Sequence, residues 1–432
     1  MRQSVILGTL YVVVAANAIK QASIPSLDAS AERTTIKKDI KMPCPVPVEG
    51  QEEAMQLLQN GRLFRYNFKS AEESPVSQCE AAIAAYTGHN YCVALNSCGS
   101  ALMLMLKATG VKPGDKVISN AFTFGAVPSA IEHVGGTPVY VESTMGYTMD
   151  LDDLRRKLAA NPDCRHVLVS HMRGKVADMD KIAAICKEHG ASLTEDCAHS
   201  LGVYIRGKHS GHAGRACAIS SQSYKMINSG EGGFLLTDDP EVAARVAVYA
   251  GAYEGMMGKH LTLPPAEDFK YLTKELPNYS LRMSALSAAI IRPQVATLDE
   301  RIAIYNARYE KLKKRLRRTC GGVLSIAEGT RGVTPVHDSI QFNLAEFVTE
   351  EQVQAFLKEC HAHGLPVELF GAKSNGRNFV NWGFAPANDE LPATRKMLAR
   401  ACDVRLPLQW QDSDFDDMAQ VIEESLATVL GE

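Results

Sequence analysis

The chain has no surplus of charge with which to hold a polyanion. Its 46 Lys and Arg stand against 49 Asp and Glu, a formal net charge of -3, so bulk electrostatics draw it to neither nucleic acid nor an anionic membrane. No helix-turn-helix pattern and no basic tail make up for that balance. The 11 cysteines are an odd number, scattered from Cys44 to Cys402 without CxxC pairs or a Cys/His metal spacing. Neither a disulfide framework nor a metal site is indicated, and reduced, mostly buried thiols are expected. A long apolar run is also missing: residues 1–18, MRQSVILGTLYVVVAANA, are too short and too rich in small residues for a stable membrane span. Small molecules are the partners that remain.

That opening stretch does set one arginine before an apolar core and closes on Ala16, Asn17 and Ala18, the layout of a targeting signal. A cytoplasmic protein is expected if the signal is not used, and an organelle-directed or secreted one if it is. Residues 1–45 read as this signal-like segment and a linker, 46–310 as a large domain and 311–432 as a smaller one. With 46% apolar and 22% charged residues the body is ordinary globular protein. Within it, short apolar runs such as CVALNS, VIS, TPVYVE, HVLVS and ASLTED alternate with helical patterns, for example at 51–59, 75–86, 129–134 and 151–160. Successive βαβ units predict an α/β fold with a mostly parallel sheet and helices on both faces. A strand CAISSQSYK is expected to carry Ser220 and Gln222 on one face. A long helix interrupted at Pro293 follows, and 256–276 reads as a loop over the site. The smaller domain reads as strand 333–347, helix 349–364, strand 366–370 and helix 412–430.

The chemistry concentrates in residues 194–239. An acid, Asp196, ends an apolar strand; a lysine, Lys225, follows; and the turn Gly230, Glu231, Gly232, Gly233 comes five residues later. Pyridoxal phosphate (PLP) needs a lysine to hold its aldehyde and a carboxylate against its pyridine nitrogen, so that the protonated ring draws electrons. Each residue alone is commonplace: a lysine before a glycine-rich turn is usually solvated, and an acid at a strand end is often only that. Upstream, the order strand, NSCGSAL turn, helix presents the free amides of a helix start, which suit a phosphate dianion.

Together these strings resemble the DegT/DnrJ/EryC1/StrS family of PLP-dependent sugar aminotransferases, with EDCAH and Ser220, Lys225 and GEGG in the family's register. The resemblance implies the type I PLP-dependent transferase fold, with a large PLP-binding domain and a smaller C-terminal α/β domain. It implies that Lys225 and Asp196 are catalytic and that His199 contacts the cofactor's ring oxygen. Phe124 would lie flat on the ring, Cys98, Gly99 and Ser220 would hold the phosphate, and His171, of SHMRG, would sit close to the cofactor. Cys197 falls inside the same motif. Arg173 stands where the family often has tyrosine, and would alter the substrate pocket. Ser280 replaces the asparagine with which family members reach a neighbouring subunit's phosphate, with Asn278 two residues earlier and Arg282 in place. The usual substrate strings are not recognisable around AKSNGRNFVNWGFA.

The implied reaction moves an amino group from an amino acid donor, glutamate or glutamine, to a keto group of a nucleotide-linked sugar or a keto-cyclitol, in a homodimer. Two other readings are open to the sequence. A PLP-dependent deoxysugar dehydratase would replace Lys225 with histidine, and a non-catalytic PLP-binding regulator would lack the lysine or the acid.

Overall fold

A computed structural model describes residues 32–253, 255–387 and 389–431; the signal-like segment 1–18 lies outside the described residues. The large domain is built on a seven-stranded sheet: β1 (Tyr91–Leu95), β2 (Lys116–Asn120), β3 (Thr137–Val141), β4 (His166–Ser170), β5 (Ser192–Asp196), β8 (Cys217–Ser220) and β9 (Gly233–Thr237), in the order β1-β9-β8-β5-β4-β2-β3. Only β9 runs against its neighbours. The strands are short and nearly continuous in apolar burial because helices cover both faces. Between β5 and β8 a hairpin, β6 (Tyr204–Ile205) and β7 (Lys208–His209), pairs with β11 (Val333–Thr334). The small domain carries β10 (Leu324–Ser325), β12 (Ser339–Leu344), β13 (Glu368–Leu369) and β14 (Ala401–Arg405) in a separate four-stranded sheet.

Parallel register puts the carboxyl ends of β2, β4, β5 and β8 side by side. Ser170 pairs with Asp196, and Asp196 with Ala218. In open α/β sheets the ligand crevice lies outside those ends, and here it is closed from the other side by the small domain.

Several expectations change in three dimensions. The strand CAISSQSYK stops at Ser220, because Ser220 Oγ accepts from the Gln222 amide (3.2 Å) and Gln222 Oε1 from that of Tyr224 (3.0 Å). Local side-chain bonds of this kind draw the backbone out of the ladder. Ser220 and Gln222 therefore share no strand, yet both still line the crevice at the strand ends. The long helix breaks at Thr297 and not at Pro293, which sits inside the helix Ala285–Ala296. The expected boundary at 310 falls within the next helix, Leu298–Cys320. The strand expected at 333–347 is split into β11 and β12 around Pro335, which has no amide to donate. Residues 256–276 form no loop over the site. Met257 and Leu272 are buried beside the helix Pro240–Ala250, and His260 joins a buried ion pair of Arg65 and Glu80.

The linker, from residue 32 onward, is packed down on the small domain. Arg33 pairs with Glu359 at 2.9 Å, Lys38 with Asp414 at 2.7 Å, and the Ile36 amide donates to His363 O at 3.0 Å. Gly364 makes this approach possible, since a Cβ there would lie 1.9 Å from the Ile36 carbonyl oxygen. Among the described residues no helix is long and apolar enough to cross a membrane.

Candidate active site

A cavity of about 490 Å³ opens at the carboxyl ends of the central strands, and Asp196, His199, Ser220, Lys225, Cys98, Gly99 and Phe124 all line it. Seven of the eight residues expected to bind cofactor thus meet in one place.

Lys225 hangs from the turn after β8, where its amide donates to Gln222 O at 2.9 Å. Its Nζ lies 2.7 Å from His199 Nε2. Burial, and then the charge of Arg173, pull the Lys225 amine down to about 7. Burial and the positive charges of Lys225 and three arginines hold His199 well below its usual range, so the imidazole is neutral. Asp196 is oriented by two donors. Its Oδ1 accepts from the Ala198 amide (3.0 Å) and its Oδ2 from the Ser170 hydroxyl (2.7 Å). Ser170 in turn accepts from the Thr123 hydroxyl at 2.7 Å. Both hydroxyl residues are buried, and neither was singled out from the sequence. The signal available was the β4–β5 register, which no local pattern reveals.

Cys98 and Gly99 open the helix Cys98–Ala108, whose cap Ser97 accepts from the Ser100 amide at 3.1 Å. The first amides of a helix have no intrahelical acceptor, so this turn offers N–H groups to an anion. Gly233, last of GEGG, is pressed against it: a Cβ there would lie 2.5 Å from Cys98 N and from the Ser97 carbonyl carbon. Only glycine lets β9 pass the turn.

Three expected neighbours point elsewhere. His171 does not line the cavity; its Nε2 pairs with Glu195 Oε2 at 2.8 Å on the other side of the sheet. Adjacent strand residues face opposite ways, so Asp196 and Ser170 face the cavity while Glu195 and His171 face away. Cys197 is buried on that far side beside His171. These three offer ligand atoms within 4.8 Å of one another, but Glu195 already accepts from His171, Gly211 and Gly214. Arg173 is buried in an ion pair with Asp403 and does not reach the cavity wall.

Sequence reasoning also missed three cations that line the cavity: Arg377, Arg405 and Lys41. Arg377 is held by a turn that asparagines stitch together. Asn375 Nδ2 donates to Leu369 O (3.1 Å), Asn378 Nδ2 to Gly371 O (2.9 Å) and Asn381 Nδ2 to Asn375 O (2.9 Å). Such a turn has no apolar period to announce it.

The donor set fits PLP. A helix start and the Ser220 hydroxyl suit its phosphate, a fixed carboxylate its ring nitrogen, and a lysine poised near neutrality its aldehyde. His199 Nδ1 is buried without a hydrogen-bond partner, which leaves one ring position free for a group the chain does not supply. With Nε2 accepting from Lys225, that position is an N–H donor suited to the ring oxygen. Two consequences can be measured. Ser170→Ala is expected to weaken PLP retention about tenfold, since a buried hydrogen bond to a charged group is worth on the order of 1.5–3 kcal/mol. Fluorescence titration of the apo-protein measures this, and an unchanged dissociation constant would remove Ser170 from the role. Because only the free amine reacts with an aldehyde, PLP uptake should accelerate as pH rises through about 7. An ordinary lysine would still be gaining rate above pH 9, and stopped-flow absorbance separates the two.

The chain is also similar to known proteins. The profile of the DegT/DnrJ/EryC1/StrS aminotransferase family matches residues 49–424. The spore coat polysaccharide biosynthesis protein SpsC of Bacillus subtilis is 28% identical over 90% of this chain and 98% of its own. The L-glutamine:scyllo-inosose aminotransferase of Streptomyces griseus is 32% identical over 78% of this chain and 76% of its own. Among solved structures, the aminotransferase TlmJ of Streptoalloteichus hindustanus superposes with a TM-score of 0.76 at 19% identity, covering 91% of this chain and 99% of that one. At that identity the likeness speaks for the fold.

Proposed function

This chain belongs to the DegT/DnrJ/EryC1/StrS family of PLP-dependent aminotransferases, and from that premise we propose that it transfers an amino group from glutamate or glutamine to the keto group of a nucleotide-linked sugar or a keto-cyclitol. The observation that carries the reading is the pairing of Lys225 Nζ with a neutral His199 at 2.7 Å, in one cavity with a doubly anchored Asp196.

When bound, PLP supplies an electron-withdrawing ring that stabilises negative charge at the substrate carbon losing its proton. The chain's residues do the rest. Lys225 Nζ, titrating near neutrality, takes the proton from the donor's α-carbon and later returns one to the carbon that becomes the amine-bearing centre of the acceptor. His199 Nε2 accepts a hydrogen bond from the lysine and keeps its lone pair aimed. Asp196, braced by Ser170 and Ala198, would keep a proton on the ring nitrogen. Cys98, Gly99 and Ser220 would hold the phosphate, and the half-exposed Phe124 would supply an aromatic face for the ring.

The relatives named above support a sugar-like acceptor, SpsC through polysaccharide biosynthesis and the Streptomyces griseus enzyme through an inosose. A homodimer with shared sites is part of the same reading. The segment 279–283 is tied to its own subunit through the Tyr279 amide to Tyr249 O (2.8 Å) and Arg282 Nη1 to Gly251 O (3.2 Å). Ser280 and Asn278 stay exposed, with the Ser280 amide donating to Asn278 Oδ1 at 2.7 Å, so either could face a second copy. The test is direct. Purified PLP-loaded protein is mixed with glutamate or glutamine, the bleaching of its visible band is followed, and keto-sugar nucleotides and keto-cyclitols are screened for those that restore it. Bleaching by no donor would refute the reading.

A further inference from the structure

Three cations from three distant parts of the chain line the cavity; Arg405 and Lys41 make no ion pair among the described residues, and Arg377 makes one, with Glu368. Arg405 ends β14. Its Nη1 donates to the Tyr224 carbonyl at 3.2 Å, its guanidinium lies 4.7 Å from the Tyr224 ring centroid, and among the described residues it makes no ion pair. Arg377 comes from the asparagine-stitched turn. Its guanidinium lies 5.8 Å from the centroids of Phe124 and Phe370, its nearest carboxylate is Glu368 at 3.5 Å, and its Nε is buried without a partner. Lys41 comes from the arm, where its amide donates to Asp39 Oδ1 (2.8 Å), while its Nζ makes no hydrogen bond or ion pair among the described residues. Other arginines pair at closer range: Arg173, of the large domain, with Asp403, and Arg315 with Glu423 at 2.7 Å.

From this contrast we propose that Arg377, Arg405 and Lys41 form an oxyanion-binding wall of the active site, which takes a carboxylate or phosphate carried by a substrate. The inference rests on the aminotransferase reading and names the substrate chemistry at that same cavity. Like charges held together are costly until an anion arrives. Arg377 is pushed down to about 10 by burial and then by Arg173, with Arg405 adding to the repulsion, and Arg405 is lowered by burial and Arg173. A guanidinium fork meets a carboxylate or phosphate through two parallel N–H bonds, and a bound oxyanion would relieve the repulsion. Glu368 and Glu231 also line the cavity. Glu368, with its side chain 40% exposed, is the group an incoming anion would displace from Arg377. Two sources share the required chemistry: the carboxylate of the amino donor, and the phosphate of a nucleotide-linked acceptor.

The experiment uses the full PLP-loaded protein and two probes, 2-oxoglutarate for the carboxylate and UDP for the phosphate, titrated calorimetrically. Arg377→Gln and Arg405→Gln are each expected to weaken one probe about tenfold or more, the scale of a charge-assisted hydrogen bond, and Lys41→Gln, being exposed, about two- to threefold. Loss for 2-oxoglutarate with a raised donor KM assigns the wall to the donor. Loss for UDP with a raised acceptor KM assigns it to the acceptor. Arg405→Lys and Arg377→Lys, which keep the charge without the fork, should recover part of the affinity and so separate anion binding from misfolding. Probe affinities within twofold of the parent in folded variants would overturn the wall while leaving the aminotransferase reading intact. Arginine-dependent probe binding in a protein that transfers nitrogen from no donor would do the reverse.

Discussion

Lys225→Ala is expected to abolish amino transfer while leaving the fold in place. The side chain makes one hydrogen bond, to His199 Nε2, and the turn that carries it is held by backbone: Lys225 N to Gln222 O, Ser223 N to Gly230 O and Ser221 N to Gly232 O. An alanine keeps all three. Removing an amine whose burial already disfavours its charged form should cost little stability, so the thermal unfolding midpoint should move by no more than a few degrees. Without the lysine amine there is no group to hold the aldehyde, and His199, whose burial keeps it well below its usual range, is a much weaker base for the donor's α-proton. Production of 2-oxoglutarate from glutamate, followed with a coupled assay, should fall below detection. Turnover near that of the parent would sink the assignment of Lys225.

Asp196→Asn should be the next most damaging change. The amide is the same size as the carboxylate and retains an acceptor for the Ala198 amide, but its NH2 would face the Ser170 hydroxyl. That hydroxyl already accepts from Thr123, and its proton would lose the carboxylate it now meets at 2.7 Å. More important, a neutral amide cannot hold a proton on the ring nitrogen, so charge at the reacting carbon loses its sink. A loss of about 10²–10³ in kcat is expected, the scale on which removal of one preorganised electrostatic partner is felt, with PLP still bound through the Cys98, Gly99 and Ser220 end. Steady-state kinetics and cofactor content of the variant decide it. Full activity would mean that another acid serves the ring, and Glu195 is no candidate, because it faces the far side of the sheet in a bond with His171.

Local order in the chain determined the elements of this site that are close in sequence. Asp196 at a strand end, His199 three residues on, Lys225 after the next strand and GEGG beyond it are set by short-range chemistry: apolar runs make the strands, and glycines and small polar residues make the turns between them. These preferences act over a few residues and need no distant neighbour, so the fold class and the residues around the lysine were legible. What only the tertiary structure decided is which way side chains face and which segments meet. His171 and Ser170 are adjacent in sequence, yet parallel register joins Ser170 to Asp196 and sends His171 to Glu195 on the other face. A motif specifies that His171 is near β5 but not the side on which it lies. Lys41, Arg377 and Arg405 lie in three segments with no shared pattern, and they come together only because the arm packs on the small domain and that domain closes over the strand ends. Their charges are unremarkable one at a time in a sequence with 46 Lys and Arg. Charge acts through space and is screened over distances of about 10 Å, so its meaning here was fixed by packing, not by order along the chain.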